Sequence, residues 1–145
     1  MKTAFVSIFT IDFYEEVIRL WHQCEGIGLS GADSRENIRS FLNRNPGMSF
    51  VAFEAGRIVG TVLAGHDGRR GYLYHLAVHP DRRRQGIGQR LVDRTLQALR
   101  QAGIQKCHLF VFKENRPGLD FWKAVGWGPR SDLVVLSKTL EENQG

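Results

Sequence analysis

The stretch Tyr72-Leu73-Tyr74-His75-Leu76-Ala77-Val78-His79-Pro80-Asp81-Arg82-Arg83-Arg84-Gln85-Gly86-Ile87-Gly88-Gln89-Arg90 decides the fold. Its first seven residues are rich in strand formers, and Pro80 stops the strand from continuing. An arginine-rich turn and two glycines follow. From there Ile87, Leu91, Thr95, Ala98 and Leu99 fall on one helical face, with Gly103 as the C-terminal cap. Glycines at the mouth of a helix let a ligand approach the backbone closely, and the N–H groups of the first turn point outward. The helix dipole adds positive potential, so strand, turn and helix together make a cradle for a pyrophosphate that neighbouring arginines reinforce.

Working outward, a first strand is predicted over 2–9. Asp12 and Glu15 resemble a capping box, followed by Phe13, Val17, Leu20, Trp21 and Cys24 at helical spacing as far as Gly26. The loop 25–32 carries three glycines. A second helix starts at Asp33, buries Ile38, Phe41 and Leu42, and stops before Pro46. Strands over 48–54 and 57–64 are joined by a tight Ala55-Gly56 turn, and 66–71 is a hairpin leading into the strand 72–78. Beyond the central helix, 106–112 reads as a strand. Asn115-Arg116-Pro117 opens a short helix with Phe121, Trp122 and Val125 on its apolar face, ended by Gly126. A last strand is predicted over 132–137. The order β-α-α-β-β-β-α-β-α-β combines an antiparallel meander with one parallel crossover pair, hence an α+β fold with a mixed, mostly antiparallel central sheet.

The rest of the composition narrows the function. A chain of 145 residues fits one domain spanning 1–145. No apolar run approaches the ~20 residues of a membrane span, and the stretch 4–11 is too short and polar for a signal peptide. A cytoplasmic protein is expected. The cysteines Cys24 and Cys107 show no metal or redox spacing, which predicts buried free thiols. His75 and His79 lie four apart on a strand, roughly 13 Å, too far to share a metal, and no metal is expected. The net charge of +5 is concentrated: between Arg69 and Arg100 stand eight arginines against Asp81 and Asp93. That pattern suits a defined anion site better than a basic coat.

Several phosphate ligands fit a glycine cradle, but two are disfavoured. A dinucleotide fingerprint wants a third glycine where Leu91 stands, and a Walker loop wants Gly-Lys-Ser/Thr. The pattern Arg83-x-x-Gly86-x-Gly88 after Leu76-Ala77-Val78-His79-Pro80 resembles the acetyl-CoA signature of the GNAT N-acetyltransferase superfamily. A second block, Asn115-x-x-Gly118-x-x-Phe121-Trp122-x-x-x-Gly126-Trp127, is similar to that family's downstream motif. The hairpin 67–71 and Tyr74-x-Leu76 further resemble the small, single-domain YpeA-like branch.

The resemblance implies a fold, a ligand and roles. The strands 72–78 and 106–112 splay apart, and the pantetheine arm of acetyl-CoA adds to the exposed strand. Leu76 and Val78 offer it main-chain bonds, and the Leu76 N–H polarises the thioester carbonyl. Arg83, Arg84, Gln85, Gly86, Ile87, Gly88 and Gln89 hold the pyrophosphate, and Asn115 lies near the sulfur arm. The acceptor is an unknown amine, attacking directly in a ternary complex without an acyl-enzyme. The family's base often lies where this chain has Tyr72 and Tyr74. Asp67 and Glu25 are loop alternatives, and Tyr74 is favoured. Where the family has a tyrosine acid, this chain has Trp122, a hydrogen-bond donor but no usable acid. The rivals are a non-catalytic acyl-CoA-binding module acting through a partner, and a nucleic-acid binder, which the absence of a recognised motif disfavours. A homodimer stays open.

Overall fold

A computed structural model describes residues 4–141. Five strands form one sheet in the order β1-β2-β3-β4-β5: β1 Phe5–Ile8, β2 Phe50–Glu54, β3 Arg57–His66, β4 Gly71–Val78 and β5 Cys107–His108. The first four pair antiparallel, and β5 runs parallel to β4. Helices α1 Tyr14–Gln23 and α2 Arg35–Arg44 precede the meander, α3 Ile87–Gln101 crosses between β4 and β5, and α4 Arg116–Ala124 follows. Among the described residues no helix is long and apolar enough to cross a membrane.

The helices bury two apolar layers, one on each face of the sheet. On one face Ile87, Leu91, Val92 and Leu99 of α3 pack on Phe50, Val62 and Leu73. On the other, Val17, Leu20 and Trp21 of α1 and Ile38 of α2 pack on Val51, Leu63 and Ala77. α3 sits tight against the meander because Gly60 has no side chain; a Cβ there would meet Leu91 Cδ1 at 2.9 Å. The Ala55-Gly56 turn has positive φ at both residues, as a two-residue hairpin of matching twist requires.

Three sequence expectations are corrected. Asp12 caps nothing: it lies in a 3-10 turn, Ile11–Phe13, and α1 begins at Tyr14. The second helix is capped by Ser34, whose hydroxyl accepts from Asn37 N–H, while Asp33 closes a capping box with Ser30 one turn earlier. Two adjacent Ser/Asp signals compete there, and the nearer serine wins the helix. The predicted last strand over 132–137 forms no ladder, and its side chains stand exposed, Val134 at 83% and Leu136 at 90%. An apolar run becomes a strand only beside an edge that pairs with it. Here the neighbouring segment 109–112 has left the sheet. The predicted first strand begins at Phe5; residues 2–3 of the stretch 2–9 lie outside the described residues.

One irregularity shapes the centre of the sheet. Thr61 pairs with Ala77 and Leu63 with Tyr74, so His75 and Leu76 together stand opposite Val62. This is a β-bulge, and His75 takes φ +51° within it. Buried side chains hold it. Trp21 Nε1–H donates to Thr61 Oγ1 (2.8 Å), and the Thr61 hydroxyl donates to the His75 carbonyl (3.1 Å). His75 Nε2 lies 2.7 Å from Asp33 Oδ1, which ties the bulge to the segment before α2. Thr61→Val keeps the shape but strands the Trp21 N–H and the His75 carbonyl, a cost of about 1–3 kcal/mol. We expect thermal unfolding to fall by ~2–4 °C per kcal/mol, with Thr61→Ser largely retaining stability. An unchanged midpoint for Thr61→Val would refute the tether.

Candidate active site

β4 and β5 share only two pairs, Gly71 with Cys107 and Tyr72 with His108. Beyond them β4 continues to Val78 while 109–112 turns away, opening a cleft of ≈ 680 Å³. The loop 25–29 and α4 close its sides.

The exposed edge of β4 points into this cleft. His79 N–H donates to the Val59 carbonyl of β3 at 2.8 Å. Main-chain groups alternate sides along a strand, so those of Val78 and Leu76 face the opposite way, where no strand pairs with them. The Val78 carbonyl accepts from Arg83 Nε (3.0 Å) and from the Cys24 thiol (3.6 Å). Arg83 therefore latches the turn to the strand end it follows.

At the wide mouth the chain makes two left-handed residues, Arg84 (φ +63°) and Gly86 (φ +80°), before α3 begins. Gly86 is the N-cap, and no side chain satisfies the first-turn N–H groups. A Cβ on Gly86 would meet nothing within 4 Å, so the space beside it is open. Successive N–H groups around left-handed residues form a nest suited to an anion. Arg84, Gly88 and Gln89 line the same mouth, and buried Ile87 anchors the helix start in the core. Gln85 is exposed and is not part of the cleft wall. Arg82, the first arginine of the basic turn, also lines the cleft, with its Nε held at 2.6 Å by Glu54 Oε1.

Tyr74, Asn115 and Trp122 line the same cleft. Asn115 Oδ1 accepts from Gly118 N–H and caps α4. Its amide is wedged between glycines: a Cβ on Gly26 or on Gly118 would come within 2.6 or 2.5 Å of Asn115 Nδ2. Trp122 is half-buried and packs edge-on against Phe121 and Trp127, each ring 5.1 Å away. The loop alternatives for a base separate. Glu25 lines the cleft. Asp67 lies in the hairpin, where its Oδ1 accepts from the N–H groups of Arg70 and Arg69, bonds that hold its pKa down. The His75–Asp33 pair beside the cleft escaped the sequence reading, because 42 residues separate its members and no motif links them. Among the described residues no cluster of His, Cys, Asp and Glu could hold a metal ion.

The GNAT acetyltransferase family profile matches residues 11–127. The chain belongs to that family. An acetyltransferase of Sodalis glossinidius is 34% identical over 139 residues, covering 96% of this chain and 97% of the relative. Among solved structures, the PaiA N-acetyltransferase of Thermoplasma acidophilum in complex with coenzyme A superposes with TM-score 0.75 at 18% identity, covering 86% of this chain and 89% of its own. An aminoglycoside acetyltransferase from an uncultured soil sample, in complex with sisomicin, gives TM-score 0.72 at 22% identity and covers 95% and 97%. These structures share the fold.

In this GNAT acetyltransferase burial raises the pKa of a tyrosine and of two thiols in or near the cleft. Burial raises the Tyr74 hydroxyl pKa, with Tyr72 and Cys107 adding to the effect, so at neutral pH it donates hydrogen bonds and does not accept protons. Burial also pushes the Cys107 thiol up to about 11. Cys24 is raised by burial against the pull of Arg83. A thiol reacts as its thiolate, so alkylation of Cys107 by iodoacetamide at pH 7 should run on the order of a hundredfold slower than that of free cysteine. The rate should climb steadily with pH and level off only near about 11. Mass-resolved labelling checks this, and fast modification at pH 7 would contradict it.

Proposed function

We propose that this acetyltransferase moves an acetyl group from acetyl-CoA to an amine acceptor by direct attack in a ternary complex. The observation that carries the reading is the unpaired edge of β4, Leu76 and Val78, continuous with the Gly86 nest and the start of α3. An extended pantetheine adds to such an edge as a strand does, while a pyrophosphate takes the N–H groups of the nest and helix. Arg83 and Arg84 supply charge at that mouth, and Gly86, Ile87, Gly88 and Gln89 form its backbone. The bulge turns the Leu76 N–H toward the thioester carbonyl, where it stabilises the oxyanion of the tetrahedral intermediate.

The state of the thiols supports direct attack. With Cys107 near 11 and Cys24 raised, neither is a nucleophile to carry the acetyl group at neutral pH. The acceptor amine attacks the thioester carbon as the free base. Its proton leaves through water, which the Tyr74 hydroxyl orders as a donor. The departing CoA thiolate, with a pKa near that of free cysteine at about 8.5, needs no strong acid. Trp122 steadies it by hydrogen bonding, and Asn115 fixes the start of α4 beside it.

Calorimetry with CoA and thiol release from acetyl-CoA test these assignments separately. Gly86→Val should fold, because its Cβ has open space, at the cost of about 1–2 kcal/mol for a left-handed branched residue. Its CoA affinity should fall severely, whereas Arg83→Ala should lose about 1–3 kcal/mol of binding. Unaltered CoA affinity in folded Gly86→Val would displace the cradle.

Trp122 needs a different comparison. Trp122→Phe should slow transfer at equal CoA affinity, and Trp122→Tyr should not fall below the parent rate. Identical rates for all three would leave Trp122 a packing residue.

A further inference from the structure

An aromatic ladder leaves the cleft on its acceptor side. Phe41 of α2 meets Tyr74 edge-on, with ring centroids 6.1 Å apart. Tyr74 stacks on Tyr72 at 6.4 Å and 17°, and Tyr72 stacks on Phe110 at 6.4 Å and 26°. Tyr74 and Phe110 belong to the cleft wall, whereas Tyr72 and Phe41 continue the row beyond it. The row is partly open to solvent: Tyr74 is 37% and Phe110 61% exposed, while Phe41 and Tyr72 are half-buried, and Phe112 is 58% exposed. A methyl on Gly28 would come within 3.0 Å of Phe112 Cζ, so the loop 25–32 bounds the row on that side.

Aligned rings left in water form a docking surface for apolar, flat groups. The charge around the cleft narrows the class. Among the described residues its wall holds one carboxylate, Glu25, against the three arginines Arg82, Arg83 and Arg84. A polycation finds too little negative charge to balance it, and a polyhydroxylated amine finds aromatic carbon where it needs hydrogen-bond partners.

We infer that the acceptor is a primary amine carried a few bonds from an aromatic ring. Its ring stacks on Tyr72 and Phe110, and its nitrogen enters the cleft past Tyr74. The inference rests on the transfer reading above and adds the substrate class to it. The same chemistry is offered by a free arylalkylamine and by a peptide with an aromatic amino-terminal residue.

The test uses the full chain saturated with CoA or acetyl-CoA, and the acceptors 2-phenylethylamine, a Phe-Ala-Ala amide, glucosamine and spermidine. Calorimetry on the CoA complex reads binding, and thiol release reads transfer. At least one aromatic amine should bind, and its KM should lie at least tenfold below those of glucosamine and spermidine. The better of the two identifies the source. Tyr72→Ala should raise that KM about three- to tenfold, the contribution of one aromatic pair, with kcat and CoA affinity kept and with Tyr72→Phe restoring the parent value. Phe110→Leu, at an exposed position, gives the same readout should Tyr72→Ala fail to fold. Absence of aromatic-amine binding, equal or better use of glucosamine or spermidine, or an unmoved KM in the variants overturns the assignment. Binding without thiol release for every amine supports the ladder and refutes the transfer reading, so the two fail separately.

Discussion

A sheet that comes apart is the constraint on which the rest of this molecule depends. Two backbone pairs hold β4 to β5, and after Tyr72 the strands diverge without pairing their main-chain groups to each other. Unpaired backbone is costly in a dry interior, so the gap survives only as a wet cleft or a filled one. The bulge at His75 sets how β4 runs along that gap. Its geometry is fixed from behind by the hydrogen-bonded series Trp21, Thr61, His75 carbonyl. The α1 face of the core thereby reaches through the sheet and determines how the cleft edge is presented.

The two ends of the cleft are built by different physics. At the wide mouth, left-handed Arg84 and Gly86 turn backbone N–H groups outward, and the start of α3 adds its dipole. Buried Ile87 anchors that helix start in the core. Around Tyr74, Asn115 and Trp122 the geometry comes from side-chain packing: Asn115 wedged between Gly26 and Gly118, Trp122 against two rings, Tyr74 between Phe41 and Tyr72. A backbone-built mouth tolerates change in its side chains, whereas a packed end answers to each one.

What could be read from the sequence divides along the same line. The meander, the crossover helix and the Gly86 turn were legible because glycine, proline and periodic apolar residues act locally. The divergence of β4 and β5 was legible only through the family resemblance, since periodicity over 106–112 predicts an ordinary strand. The predicted strand over 132–137 failed because its apolar pattern says nothing about whether a partner edge is within reach. The residue opening α2 was misplaced because Ser30, Asp33 and Ser34 are all capable caps, and only the fold selects among them. The His75–Asp33 pair and the aromatic row were invisible. Each joins residues from distant segments, and the bulge alters the alternation of faces on which a reading of β4 relies.

The protonated state of the cleft thiols bears on a hazard peculiar to an enzyme whose product is itself a thiol. In the proposed reaction each turnover releases free CoA beside Cys24, and CoA readily becomes a disulfide wherever oxidants are present. Thiol–disulfide exchange needs a thiolate as attacker, and its rate falls with the fraction of thiolate available. Burial of Cys24 under the Val78 carbonyl and the raised pKa of its thiol make it a poor attacker at neutral pH. On the proposed reading, a cysteine on the wall of a thiol-releasing cleft is thus kept a poor attacker of the disulfide of what that cleft releases.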